Sequence, residues 1–193
     1  MDADEARAQR DQLDRFTRWA REEGTDELPV HIGTYMRPEQ VLRLEWLKRW
    51  SQGVTLEVGC SWGYVLAYVN GSVGCDINPK LVELASIMAP ERQFDLADAR
   101  KLPYEDRQFD TVILAETIEH LPWIDGVVAA INEAKRVTER QVLVTIPNPA
   151  YEDSGATSFK HHWLATPPKQ MELNLMLGPG VPVGPFLCYR KLV

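Results

Sequence analysis

The chain has 193 residues, 45% of them hydrophobic, which suits one domain with a sizeable core. Its formal charge of −7 disfavours nucleic acid as a partner, because such binding draws on clustered Lys and Arg. No apolar run reaches bilayer length, the N-terminal segment is too charged for a secretory leader, and Cys60, Cys75 and Cys188 read as buried thiols of a reducing, cytoplasmic compartment.

Residues 4–23 read as a charged amphipathic helix with Leu13, Phe16, Trp19 and Ala20 on one side. A loop from Gly24 to Arg37 follows, where His31, Tyr35 and Met36 read either as plain connector or as part of a closing loop. Pro38 then opens a second helix to about Trp50, with Val41, Leu42, Leu44, Trp46 and Leu47 as its apolar face. Trp19, Trp46 and Trp50 stand at helical spacings and read as core packing. Beyond this point helices near 63–69, 79–89 and 125–138 alternate with strands, which implies a parallel sheet with helices on both faces. The C-terminal end reads as two strands, Glu172–Leu177 and Pro185–Leu192, joined as an antiparallel hairpin by the Gly/Pro connector Gly178–Gly184.

The most specific stretch is Thr55-Leu-Glu-Val-Gly-Cys-Ser-Trp-Gly-Tyr64. An apolar strand runs into Glu57, then a turn with Gly59 and Gly63, then a helix start. A second strand ends at Cys75-Asp76-Ile77. Glycines let backbone approach a ligand closely, and a carboxylate after the second strand can accept from ribose hydroxyls, so the layout suits a nucleoside-bearing ligand. A dinucleotide site would read G-x-G-x-x-G and meet a pyrophosphate, which Glu57 would repel. Beside an α-amino group and a sulfonium the same carboxylate is favourable. No Gly-Lys-Ser/Thr of a nucleotide P-loop is present.

Glu57-x-Gly59-x-Ser61-x-Gly63 resembles motif I of the class I S-adenosylmethionine-dependent methyltransferases, (D/E)-x-G-x-G-x-G, with Ser61 in place of the middle glycine. Further signals of that family follow in order. They are Gly74-Cys75-Asp76-Ile77, Phe94–Ala99, Leu102-Pro103-Tyr104 with Gln108–Ala115, Glu116–Leu121, and Gln141–Asn148. The Glu119-His120-Leu121 segment is similar to that of ubiquinone-biosynthesis-like, small-molecule members. The likeness covers roughly residues 53 to 150. It implies a single Rossmann-like, doubly wound α/β sheet of about seven strands, mostly parallel with an antiparallel C-terminal hairpin, behind two N-terminal helices. Residues 1–50 would then supply helices and lid, 51–150 the cofactor-binding core, and 151–193 a short substrate cover and the hairpin.

By the same resemblance the cofactor is S-adenosylmethionine, with S-adenosylhomocysteine as product. Glu57, Gly59, Ser61 and Gly63 would wrap its methionine portion, Asp76 and Ile77 the ribose and one adenine face, and Asp98 and Ala99 the adenine edge. Ala115 and Glu116 would lie beside the sulfonium, and Arg37 would either meet the cofactor's carboxylate or cap the second helix. Trp62 and Tyr64 read as packing more than as ligand contacts.

His120 reads as structural or as a base, and His161 and His162, in the cover after strand five, as candidate bases near neutral pH. No compact metal-ligand spacing joins these histidines to Glu116 and Glu119, so no metal is expected. The leading expectation is O-methylation of a small metabolite or glycan. Methylation of protein or RNA is an alternative, as is a non-catalytic cofactor-binding partner subunit, suggested by Ser61 and a scanty lid. A pocket this open also admits completion by a second copy as a homodimer.

Overall fold

The protein is described by a computed structural model covering residues 38–122, 125–148 and 167–193. The expected helix over 4–23, the loop containing His31, Tyr35, Met36 and Arg37, and the His161–His162 pair lie outside those residues. Elements run α1 (Pro38–Trp50), β1 (Thr55–Val58), α2 (Tyr64–Tyr68), β2 (Val73–Asp76), α3 (Pro79–Met88), β3 (Gln93–Leu96) and β4 (Phe109–Ala115). A 3-10 turn (Ile118–His120), α4 (Asp125–Val137), β5 (Thr138–Pro147), α5 (Pro167–Leu177), β6 (Val181–Val183) and β7 (Phe186–Leu192) complete them.

The seven strands form one sheet in the order β3-β2-β1-β4-β5-β7-β6. The first five are parallel, and β7 runs antiparallel to both β5 and β6. Chain order reverses direction between β1 and β4, so the loops after those strands diverge and leave a crevice at their carboxyl ends.

Alternation along the strands divides the core between the two faces. Val112, Leu114, Val142 and Val144 pack under α4 and α5 through Val127, Ile131, Leu173 and Leu177. Ile113, Ala115 and Leu143 pack on the opposite face with Leu44 and Leu47 of α1, Val65 of α2 and Leu84 of α3. Leu56 and Val58 belong to the first face, so Glu57 between them points to the second, under α1 and α2.

Two expectations about elements are corrected. Glu172–Leu177 is not a strand but the end of α5, and the sixth strand is Val181–Val183, inside the expected connector. Met171, Leu173, Leu175 and Leu177 recur every second residue and imitate a strand. Only Leu173 and Leu177, one helical turn apart, are buried, while Leu175 is 81% exposed. Leu, Met and Glu are helix formers, and the prolines at 167 and 168 suit a helix start. Pro182 is tolerated because β6 is an edge strand. The segment between β5 and β6 therefore includes a helix and extends past Glu172, where the expected strand would have ended it.

The second correction concerns α1. Val41 and Leu42 are exposed, and the buried positions are Gln40, Arg43, Leu44 and Leu47, spaced three, four and seven apart. Trp46 and Trp50 pack at the edge of the same cluster, as expected. Gln141 of β5 ties this helix to the sheet by donating to the Trp50 carbonyl at 2.6 Å and accepting from Arg190 Nε at 2.7 Å.

The loop from β3 to β4 is held by Arg136 of α4. Its guanidinium donates to the carbonyls of Leu102 (3.0 Å) and Tyr104 (2.8 Å) and pairs with Asp106 and Glu133, both at 2.8 Å. Glu133 in turn accepts from the Leu102 N–H at 2.8 Å. Arg136→Ala should cost about 2 kcal/mol, since several charge-assisted bonds are lost at a partly solvated site. Thermal unfolding should show it as a fall of roughly 4–8 °C. An unchanged midpoint would mean that the loop is fixed by other contacts.

Candidate functional site

Glu57 is the next-to-last residue of β1, which ends at Val58, and the chain then crosses the top of the sheet in a tight turn. Gly59, Ser61 and Gly63 all take left-handed backbone, with φ of 74°, 50° and 82°. Ser61 thus adopts the geometry that a glycine would, and its N–H donates to Asp76 Oδ2 at 2.9 Å. The turn is pinned from below, because the N–H groups of Gly59 and Cys60 both donate to the Cys75 carbonyl, at 2.8 and 2.9 Å. At Gly59 the left-handed conformation is joined by crowding. A Cβ there would lie 2.5 Å from Thr117 Cγ2, so only glycine lets the loops after β1 and β4 approach this closely.

Asp76 closes β2 and faces that turn. Its second oxygen accepts from the Asn78 N–H at 2.9 Å, where Asn78 caps α3. Each carboxylate oxygen has one backbone donor and keeps a lone pair for a further one. Ile77 beside it is 64% exposed, a large apolar side chain presented at the crevice rim. Asp98 stands in the loop after β3 but is already engaged. Arg100 holds it through Nε at 2.9 Å and Nη2 at 2.6 Å, which keeps its carboxyl below the usual range. Ala99 is buried, packed into the core under β1 and β2.

The residue missed in the sequence is Arg43. It projects from α1 into the crevice, fully buried, and lines one cleft with Glu57, Gly59, Cys60, Ser61, Trp62, Tyr64, Val65 and Ala115. Its guanidinium lies 4.9 Å from the Phe186 ring centroid and 3.7 Å from Glu116 Oε1. None of its three nitrogens has a hydrogen-bond partner among the described residues, nor does Glu57 Oε2. A buried polar group without a partner is costly in an interior, so these atoms call for one. The signal lay in spacing: Arg43 shares the stripe of Leu44 and Leu47, so an amphipathic reading of α1 puts a cation on its buried face. Trp62 and Tyr64 are also buried, their rings 5.1 Å apart, and they both pack in the core and line this cleft.

Electrostatics at the site follow from burial. Desolvation pushes the Glu57 carboxyl up to about 8 despite the nearby Arg43 charge, so Glu57 is largely protonated at neutrality. Glu116, just past β4, is raised by burial with Arg43 opposing, and its backbone is left-handed at φ 54°. Glu119, 3% exposed in the 3-10 turn, is raised further by burial and by Glu116 beside it. His120, the next residue, is exposed; its N–H donates to the Thr117 carbonyl at 3.1 Å. Burial pushes up the thiols of Cys60, Cys75 and Cys188, and all three cysteines are free.

The sheet edge thus gathers Glu57, Gly59, Ser61, Gly63, Asp76, Ile77, Ala115 and Glu116, with Asp98 and Ala99 on the next loop. Among the described residues no group of three or more His, Cys, Asp or Glu could hold a metal ion, and no helix is long and apolar enough to cross a membrane.

An open α/β sheet in this strand order, with an acid-headed glycine turn at its switch point, defines a nucleoside-cofactor-binding domain. Residues 56–146 match the family model described as a methyltransferase domain. Residues 56–146, just under half of the chain, thus carry the signature of the class I S-adenosylmethionine-dependent methyltransferases. The chain is 33% identical over 138 residues to a tRNA (carboxymethyluridine(34)-5-O)-methyltransferase of Arabidopsis thaliana. That alignment takes in 69% of this chain but 32% of the relative, so the chain spans about a third of the relative's length. Its fold is shared with a methyltransferase of Thermotoga maritima described as a possible histamine N-methyltransferase. The TM-score there is 0.63 at 19% identity, over 84% of this chain and 96% of that one. A SAM-dependent methyltransferase of Aquifex aeolicus gives 0.63 at 18% identity, over 86% and 98%.

Proposed function

We propose that this chain transfers a methyl group from S-adenosylmethionine to an oxygen of a small metabolite or glycan. The observation that carries the cofactor half is the pairing, in one cleft, of a buried guanidinium and a buried carboxyl oxygen, Glu57 Oε2, neither with a hydrogen-bond partner among the described residues. Arg43 offers a cation to one end of a zwitterion, and Glu57 gives up its proton to become the anion for the ammonium end, which is the pair of charges an amino-acid tail presents. Bound S-adenosylmethionine supplies an activated methyl group on a good leaving group.

The chain's own residues do the rest. Arg43 takes the carboxylate, Glu57 the α-amino group, and the Gly59–Gly63 turn brings backbone against the tail. Asp76 uses its two remaining lone pairs for vicinal hydroxyls, Ile77 covers one purine face, and Ala99 and Asp98 stand at the purine edge. Ala115 and Glu116 border the reacting end, where alignment and exclusion of water lower the barrier. Arg37 keeps its proposed place at the tail, His161 and His162 stay candidate bases, and His120 is either structural or a base.

Asp76→Ala is expected to weaken S-adenosylhomocysteine binding about 30-fold, from loss of two charge-assisted hydrogen bonds. Asp98→Ala should cost only about threefold, because Arg100 already saturates that carboxylate. Titration calorimetry measures both, and equal losses would contradict this assignment.

A second acceptor has specific support. The plant relative is named for O-methylation of a modified tRNA uridine, and that favours an RNA-borne oxygen. The net charge of −7 weighs against it. Transfer of radiolabelled methyl into a fractionated cell extract discriminates the two: label in small molecules supports the leading reading, and label in RNA replaces it. Ser61 keeps the turn geometry, which removes one motive for the non-catalytic reading.

A further inference from the structure

Three carboxyl groups and one guanidinium share the buried end of the crevice, and they cannot all be charged. Arg43 of α1 is fully buried. It approaches Glu116 to 3.7 Å, an ion pair too long for a hydrogen bond. Glu119 stands one turn on, 3% exposed, and neither its Oε2 nor Glu116 Oε1 has a hydrogen-bond partner among the described residues. Glu116 itself is held in left-handed backbone by its N–H bond to the Thr145 carbonyl at 3.0 Å, a strained arrangement for a non-glycine residue. Its side chain is 20% exposed, so this member of the pair, unlike Glu119, reaches the crevice.

We propose that Glu116 and Glu119 act together as the proton acceptor of the methyl-transfer step, with Arg43 as their positioning residue, and that the pair carries one more proton beside S-adenosylhomocysteine than beside S-adenosylmethionine. This deepens the cofactor reading and rests on it. The charge count gives the reason. Without ligand, one guanidinium is matched by one ionised carboxylate, while burial keeps Glu119 and Glu57 protonated. A zwitterionic tail draws Arg43 to its carboxylate and draws the proton off Glu57. Glu116 then keeps its negative charge only while a positive charge faces it, and that charge distinguishes the donor from the product. In the transfer to a hydroxyl, the S–CH3 bond breaks with its electron pair left on sulfur, and the O–CH3 bond forms. The hydroxyl proton passes to Glu116, so the buried charge stays constant. Among the described residues, the charged and titratable groups facing Glu116 are Arg43 from α1, Glu119 from the 3-10 turn and Cys188 from β7; Thr145 of β5 adds a neutral hydroxyl.

The test needs no acceptor substrate. The 193-residue chain is titrated with S-adenosylmethionine and with S-adenosylhomocysteine at pH 7 in buffers of different ionisation enthalpy, which counts protons exchanged on binding. S-adenosylmethionine should release about one proton, from Glu57, and S-adenosylhomocysteine about none, because uptake by the pair cancels that release. The sign fixes the pH trend. Release means that S-adenosylmethionine affinity rises toward pH 8, by up to about tenfold per unit, while that for S-adenosylhomocysteine stays flat. Glu116→Gln should make both ligands release about one proton, and Glu57→Gln should preserve the difference between them. Equal counts in the wild-type protein, or a difference that survives Glu116→Gln, overturn the inference and leave the cofactor reading intact. Absence of saturable heat with either ligand overturns both.

Discussion

Arg43→Met is expected to weaken S-adenosylhomocysteine binding about 100-fold, equivalent to roughly 2.7 kcal/mol. The guanidinium is buried, without hydrogen-bond partners among the described residues, and lines the same cleft as Glu57, so a ligand carboxylate there meets a cation whose desolvation has already occurred on folding. Arg43→Lys should recover only part of the loss, because a single ammonium cannot present the planar fork. Stability should respond differently. Met can still pack on Phe186, but Glu116 loses its buried cation and must hold a proton. A carboxyl with a raised folded pKa favours the fold while it is protonated and loses that contribution as pH rises. The variant should therefore come nearest to wild-type stability below pH 4.5, where the unfolded carboxyl is also protonated, and fall progressively behind it as pH rises toward 8. Calorimetric affinity and thermal midpoints across that pH range check this. Affinity equal to wild type would remove Arg43 from the site.

Gly59→Ala is expected to destabilise the protein by about 3 kcal/mol, about 6–12 °C in thermal midpoint, and to abolish measurable cofactor binding. Two costs combine. A left-handed φ of 74° is unfavourable for alanine, and the new Cβ would sit 2.5 Å from Thr117 Cγ2 and 2.7 Å from its Oγ1. Thr117 cannot simply rotate away, because its hydroxyl donates to the Val58 carbonyl at 3.0 Å and approaches that of Ala115 at 3.2 Å. Those contacts join the loops after β1 and β4, so the damage falls on the crevice itself. A double-mutant cycle separates the terms. Thr117→Ala removes the colliding atoms, so adding it to Gly59→Ala should recover the steric part and leave the backbone strain. Additive losses would show that the collision is relieved elsewhere.

The parts legible in the sequence were those governed by local rules. Glu57-x-Gly59-x-Ser61-x-Gly63 reports a backbone requirement, and the structure places three of those residues in left-handed conformations. The strand ends at Asp76 and Ala115 follow from short apolar runs closed by polar turns. Helices opening at Pro38 and Pro79 follow from proline at the first position. Failure came where two periods overlapped. Residues 171–177 satisfy both an every-second and an every-fourth pattern, and only packing on the sheet chose the helix that buries Leu173 and Leu177.

Chain order and turn chemistry by themselves determined the doubly wound layout and which loops would meet at its switch point, because each depends on residues close in sequence. Tertiary structure alone decided the charges within that crevice. Glu57, Arg43, Glu116 and Glu119 come from β1, α1 and the segment that follows β4, and their protonation depends on how deeply packing removes them from water and on which neighbours remain. Desolvation and Coulomb energy are properties of distance in space, and no spacing along the chain encodes them.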